Sequence, residues 1–247
     1  MLRALKNVIA GLLTSVPVGK TLAALTGNRF RSRGLWVDTS HPGITPPIKA
    51  ALFWNAYESA EVRFVHRYLR TDFPVVELGA SLGVMACQIR QRIPREQKLV
   101  CVEASPALKP VIERNLALNG MEANTAVVSA AIDYSGAATV TFSAGPDTLG
   151  GRKADSGIAV PAMTLSALLA QHHIADYALV CDIEGAEAGF IFHDAAALQR
   201  CRQLIIELHD PEVDGRRWTA NELRDRLLHD HGFRLVDQRS VVCVLEK

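Results

Sequence analysis

Hydrophobic and polar positions follow two rhythms along this chain. Short apolar runs at Val75–Leu78, Leu99–Glu103, Thr125–Ser129, Ala178–Ile183 and Leu204–Leu208 read as buried strands. Between and around them, apolar residues recur at helical spacing. Residues 58–70 carry Val62, Val65 and Leu69 on one face, and further helices are expected over Val84–Arg92, Pro106–Asn119, Thr164–Gln171, Glu187–Gln199 and Ala220–His229. Pro106 is placed in a first turn, where its missing N–H costs nothing, and Gly120 stops that helix. Thr164 is the expected cap of the next helix. Phe233–Asp237 and Val241–Leu245 read as a closing hairpin, Leu35–Asp38 as a short early strand, and Ala138–Phe142 as an extra hairpin strand. Residues 143–158, with Gly145-Pro146 and Gly150-Gly151, read as a loop, and residues 1–27 as helical with a break at Pro17.

Strand–helix alternation predicts an α/β fold: a seven-stranded, mostly parallel sheet ending in an antiparallel hairpin, with helices on both faces. Residues 1–52 are expected to form a helical and irregular extension, and residues 53–247 the main domain. The length of 247 residues suffices for one large core. A formal net charge of +1 and few aromatics argue against a nucleic-acid binder. Five scattered cysteines without a CxxC pair read as small buried hydrophobes in a reducing, cytoplasmic setting. No run reaches the roughly 20 apolar residues of a membrane span. Residues 1–27 suit packing on the domain or a partner, with contact to a membrane surface as the lesser alternative. A dimer is compatible with the sequence.

The candidate chemistry gathers at strand ends. Gly79 and Gly83 form a turn after the first strand, which opens the backbone and the next helix N-terminus to a ligand. Glu103, ending the second strand, is placed to accept hydrogen bonds from ribose hydroxyls. The turn reads GxxxG, not the GxGxxG of nicotinamide dinucleotide sites, so an NAD-dependent oxidoreductase is the rival reading and not the main one. A terminal hairpin and the acid Glu77 ahead of the turn fit the Rossmann-like class I methyltransferase fold with S-adenosylmethionine, whose sulfonium and ammonium would attract a carboxylate. The expected cofactor set is Glu77, Gly79, Ala80, Ser81, Gly83, Glu103, Ala104, Ala130 and Asp182. Asp182, Glu184 and Glu187 follow the fourth strand, and Glu207 and His209 the fifth, at the same edge of the sheet. For methyl transfer to a hydroxyl, His209 is the first candidate base, largely neutral at an unperturbed pKa of about 6.5, with Asp182 and Glu184 beside it. Asp182 and Glu184 could instead hold a divalent ion, but the motif lacks a further clear ligand, so no metal is assigned. Tyr57, Glu58 and Glu207 are candidate acceptor contacts.

In order along the chain stand Tyr57-Glu58, Glu77-Leu78-Gly79-Ala80-Ser81-Leu82-Gly83, Glu103 followed by Ala104-Ser105-Pro106, Asn115-Leu116-Ala117-Leu118-Asn119-Gly120, and Asp182-Ile183-Glu184-Gly185-Ala186-Glu187. In these blocks, over roughly residues 53–210, the chain resembles the FkbM-type methyltransferases. It departs from the pattern at Glu77, where Asp is commoner, at Ser81, often Asn, and at Cys181, where a Lys is common. The resemblance implies S-adenosylmethionine as methyl donor and O-methylation of a sugar, glycan or natural-product hydroxyl. A catalytically silent binding module is the remaining alternative.

Overall fold

In the computed structural model, residues 11–143, 152–153 and 157–247 are described. The main sheet has seven strands: β3 (Val75–Leu78), β4 (Leu99–Glu103), β5 (Thr125–Ser129), β10 (Tyr177–Cys181), β11 (Cys201–Glu207), β14 (Arg234–Arg239) and β15 (Val242–Glu246). Their spatial order is β14-β15-β11-β10-β3-β4-β5. The five strands from β5 to β11 are parallel, and β15 runs antiparallel between β11 and β14. The expected parallel sheet with a closing hairpin is therefore what the chain forms. Strand order reverses between β3 and β10, and in such sheets ligands bind outside the carboxyl ends at that switch point.

β3, β4 and β10 are buried throughout, which explains their unbroken apolar runs. One core forms on each face. Tyr177, Phe190, Leu204 and Leu223 belong to the first, and Val65, Ile89, Ile112 and Val244 to the second. α4 (Val84–Arg92) and α9 (Ala220–His229) span the residues expected of them. Thr164 accepts the Ala167 N–H and caps α6 (Leu165–Gln171), as its position implied. All five cysteines are free and buried.

Four expectations need correction. The helix expected from Pro106 is α5 (Lys109–Leu118), with Pro110 in its first turn, because residues 106–108 form a turn. The helix expected over Glu187–Gln199 is two, α7 (Glu187–His193) and α8 (Ala195–Arg200). Asp194 separates them: its carboxylate accepts the Ala197 N–H as the cap of α8 and also binds Ser166 and the Tyr134 hydroxyl. The break expected at Pro17 falls at Thr14–Ser15: residues 11–13 are helical, and Pro17 lies in the first turn of the next helix, α1 (Val16–Thr26), after the cap residue Ser15. The region read as loop, residues 143–158, runs into an unexpected strand, β9 (Ile158–Met163), paired antiparallel with β7 (Thr139–Ser143) and parallel with β6 (Ala131–Ile132). Pro161 obscures that strand in the sequence because it cannot donate to a ladder. β8 (Arg152–Lys153) completes this second sheet, and β12 (Glu212–Val213) pairs with β13 (Arg216–Arg217) in a separate short hairpin.

Ahead of the sheet come the hairpin β1 (Arg29–Ser32) and β2 (Leu35–Asp38), then α2 (Pro46–Phe53) and α3 (Ser59–Tyr68). The Asn115–Gly120 motif explains how this segment attaches. The Asn115 amide accepts the Asp38 N–H at 2.7 Å and donates to the Leu82 carbonyl at 2.8 Å. Asn119 exchanges two 2.9 Å bonds with the Trp36 backbone. Phe30, Val37 and Leu52 then pack with Leu82, Val84 and Val111. On α1, Gly19 lets the Pro46 carbonyl approach where a Cβ would stand. Residues 1–10 of the expected N-terminal helix lie outside the described residues; Leu12, Val16 and Leu25 are exposed. Among the described residues no helix is long and apolar enough to cross a membrane.

Candidate active site

A cavity of about 990 Å³ opens at the carboxyl ends of β3, β4, β10 and β11. Its volume lies at the upper end of small-molecule sites, roughly 300–1,000 Å³. Of the residues singled out in the sequence, Tyr57, Glu58, Gly79, Ser81, Glu103, Ala104, Ala130, Asp182, Glu184 and His209 line it. Glu77, Ala80, Gly83 and Glu207 are not among the lining residues.

The turn after β3 is held from below. Glu103 accepts the Ser81 N–H through Oε2 and the Ser105 N–H through Oε1, both at 2.8 Å. It is 7% exposed, and burial raises its pKa while these backbone donors pull it back down. Ser81 has φ +49°, a left-handed conformation stabilised by that contact and by the Tyr57 hydroxyl, 3.2 Å from its Oγ. The glycines also serve packing. A Cβ on Gly79 would stand 1.8 Å from the Asp182 carbonyl oxygen, so the neighbouring strand occupies that space. A Cβ on Gly83 would stand 2.9 Å from the Ile112 Cα, so Gly83 brings α4 close to α5.

Glu77 lies beneath the turn, 1% exposed, and neither carboxylate oxygen has a hydrogen-bond partner among oxygen and nitrogen atoms. Burial raises its pKa to about 7, against 4.5 for the free group. The folded chain therefore keeps a proton that the unfolded chain releases above pH 4.5, and Glu77 costs stability increasingly between pH 4.5 and 7. Glu77→Gln removes the cost without changing shape. It is expected to stabilise the ligand-free protein by about 3 kcal/mol at pH 8, at about 1.4 kcal/mol per pKa unit, with the gain shrinking toward pH 4.5. Thermal melts of both proteins across that pH range test this; a difference independent of pH contradicts it.

On the other flank of Gly79, His209 gathers four carboxylates. Its Nδ1 lies 3.1 Å from Glu187 Oε1, and its Nε2 lies 3.6 Å from Glu184, 3.8 Å from Asp182 and 3.9 Å from Glu207. Burial lowers the imidazole pKa, but Glu187, Asp182 and Glu184 outweigh it and hold His209 near 9. The neutral imidazole expected at pH 7 is thus replaced by a protonated one in the ligand-free protein, because the sequence did not reveal how many carboxylates converge on it. Burial lifts Asp182 to about 6, and burial with a hydrogen bond to Glu61 lifts Glu207 to about 8. Burial also drives Glu58 well above its ordinary value; its Oε2 has no partner, and its backbone is left-handed at φ +45°. Glu184 is left-handed too, at φ +56°. Three non-glycine residues in this conformation around one cavity mark a wall whose strain the fold has to over-determine.

Cys181 is buried in the core and does not line the cavity. The sequence reading missed several lining residues, among them Ile132, Tyr134, Val140, Phe142 and His193. Only Gly189 hinted at Tyr134: a Cβ there would stand 2.7 Å from the Tyr134 ring.

The family model described as Methyltransferase FkbM domain matches residues 79–235, which run from the glycine turn into the closing hairpin. The chain belongs to the FkbM methyltransferase family. S-adenosylmethionine is accordingly its methyl donor, and the NAD reading falls away. No curated protein matches the sequence. Solved structures with a similar course of chain are distant. A methyltransferase from Geobacter sulfurreducens is 13% identical, covering 75% of this chain and 77% of its own, with a TM-score of 0.45. A NADB-Rossmann superfamily protein from Streptococcus agalactiae is 14% identical, with coverages of 76% and 68% and a TM-score of 0.45. A Streptococcus pneumoniae protein described as a candidate tRNA (m1A22) methyltransferase, solved with S-adenosyl-L-methionine, is 14% identical, with coverages of 76% and 72% and a TM-score of 0.44.

Proposed function

We propose that this FkbM-family chain transfers the methyl group of S-adenosylmethionine to a hydroxyl of a sugar or other polyol. The observation that carries the reading is the charge of the cavity. Glu58, Glu103, Asp182, Glu184, Asp210 and Glu212 line it, and no Lys or Arg does among the described residues. Such a wall attracts a sulfonium cation and accepts hydrogen bonds from a hydroxyl-rich neutral molecule. It repels phosphates, which argues against the nucleic-acid acceptors named for distant neighbours of this fold.

Sheet order supports a division of labour. Glu103, on β4, stands to one side of Gly79 and accepts the ribose hydroxyls. Ala104, Ala130, Val102 and Phe142 supply an apolar surface for the purine. The His209 cluster, beyond β10 and β11, stands on the other side, where the acceptor enters. The hydroxyl oxygen attacks the methyl carbon, the carbon–sulfur bond breaks, and S-adenosylhomocysteine leaves. The hydroxyl proton passes to the carboxylate cluster around His209. Positioning of the two reactants supplies much of the rate.

Incubation with methyl-labelled cofactor and a panel of saccharides, polyols and RNA tests the acceptor class. Label is expected in a methyl ether on a polyol; label in RNA alone would exclude the reading. With that acceptor, His209→Ala should lower kcat by about 100-fold or more, because the imidazolium that keeps the proton-accepting carboxylates ionised is lost, while cofactor affinity stays within about threefold. Unchanged turnover would make His209 a structural residue.

A further inference from the structure

We propose that Asp182, Glu187 and His209 form a binding site for one divalent cation of the first transition row, on the β10–β11 side of the cavity. Each residue offers one donor atom, and the three atoms lie within 4.8 Å of one another. Adjacent donors around a six-coordinate ion with bonds of about 2.1–2.2 Å stand about 3 Å apart, and opposite donors about 4.3 Å. The trio is therefore a small side-chain adjustment from a common centre.

Glu187 distinguishes this cluster from an ordinary acidic edge. Its side chain is 0% exposed. Oε1 accepts the Ile183 N–H at 3.0 Å and faces His209 Nδ1, while Oε2 is buried with no hydrogen-bond partner. A buried carboxylate oxygen left without a contact is costly, and a cation supplies that contact. Asp182 Oδ1 is in the same condition: buried, without a hydrogen bond, and 3.8 Å from His209 Nε2. Neither carboxylate has a Lys or Arg partner among the described residues; each is ion-paired only with His209. Glu184 and Glu207, 3.6 and 3.9 Å from Nε2, stand beyond hydrogen-bond reach but near enough to bind the ion or hold a water on it.

The sequence showed only Asp182 and Glu184 as oxygen ligands. The fold adds the missing donors, one from the start of α7 and one from the end of β11. An imidazole among carboxylates suits an ion such as Mn²⁺ better than Mg²⁺ or Ca²⁺. The inference deepens the methyl-transfer reading of the same cavity, because a hydroxyl bound to such an ion loses its proton more readily. It stands on the cluster's own geometry and needs no bound cofactor.

The test is a titration of the full chain, stripped by chelator, with Mn²⁺ alone, followed by the electron paramagnetic resonance signal of the free ion. One ion per chain is expected, with binding weakened about tenfold or more in Asp182→Asn and in Glu187→Gln, and less in Glu184→Gln. Circular dichroism establishes that each variant is folded; if the buried Glu187→Gln is not, Asp182→Asn decides. Absence of Mn²⁺ uptake by the folded wild type, or wild-type binding by Asp182→Asn, overturns the proposal. The titration contains no S-adenosylmethionine, so its failure leaves the methyl-donor reading standing. Failure of cofactor binding likewise leaves the ion count unchanged.

Discussion

Glu103→Ala is expected to weaken S-adenosylmethionine binding by about 100-fold or more, the equivalent of roughly 3 kcal/mol. The size follows from two losses at one residue. The carboxylate is the only acid of β4 and the proposed acceptor of both ribose hydroxyls through charge-assisted bonds. The same group holds the Ser81 and Ser105 N–H groups at 2.8 Å, so its removal also frees the turn that borders the cavity. Ser81 would then lose a contact that keeps it at φ +49°. Glu103→Gln should fall between the two proteins: the amide keeps one acceptor oxygen but presents an N–H₂ to a backbone donor. Calorimetry with circular dichroism as a folding control gives the answer. Undiminished affinity in a folded Glu103→Ala protein would remove the ribose assignment.

Gly79→Ala should be severely damaging. At φ +88° any side chain is strained, and the added Cβ would meet the Asp182 carbonyl oxygen at 1.8 Å. That oxygen belongs to backbone, and Asp182 N–H is itself bonded to the Leu78 carbonyl, so the neighbour cannot swing aside. A loss of about 3–5 kcal/mol is expected, in the range of severe core disruptions. At about 2–4 °C per kcal/mol for a chain of this size, Tm falls by roughly 6–20 °C. Gly120→Ala is the control. Its φ is +64°, but nothing lies within 4 Å of the added Cβ, so only the conformational cost of about 1–2 kcal/mol applies. Similar losses in the two variants would show that backbone conformation, and not the close approach of β10, makes Gly79 necessary.

Glu103 and Gly79 shape the same turn, one by the bonds its side chain makes and the other by having none. Sequence alone was enough for the elements with a local cause. Short apolar runs bounded by turn residues gave β3 and β4, and 3.6-residue spacing gave α9, because burial on two faces or one leaves a period in the chain itself. The blocks around Gly79, Glu103 and Asp182 were legible for a similar reason: a turn, a strand-end acid and a helix start each need particular residue types within a few positions. The family followed from those blocks.

What only the tertiary structure decided depends on residues far apart in sequence. The sequence places Asp182, Glu187, Glu207 and His209 at one edge of the sheet, but does not place the carboxylates within 4 Å of the imidazole, so its protonation could not be read locally. Glu77 carries the sequence signature of a cofactor contact, yet the fold buries it beneath the turn. Gly79 and Gly83 declare a need for glycine, but not whether a ligand, a strand or a helix fills the space. Local sequence determines which conformations the chain prefers; long-range packing determines which groups share a low-dielectric space, and so sets charge, close approach and chemistry.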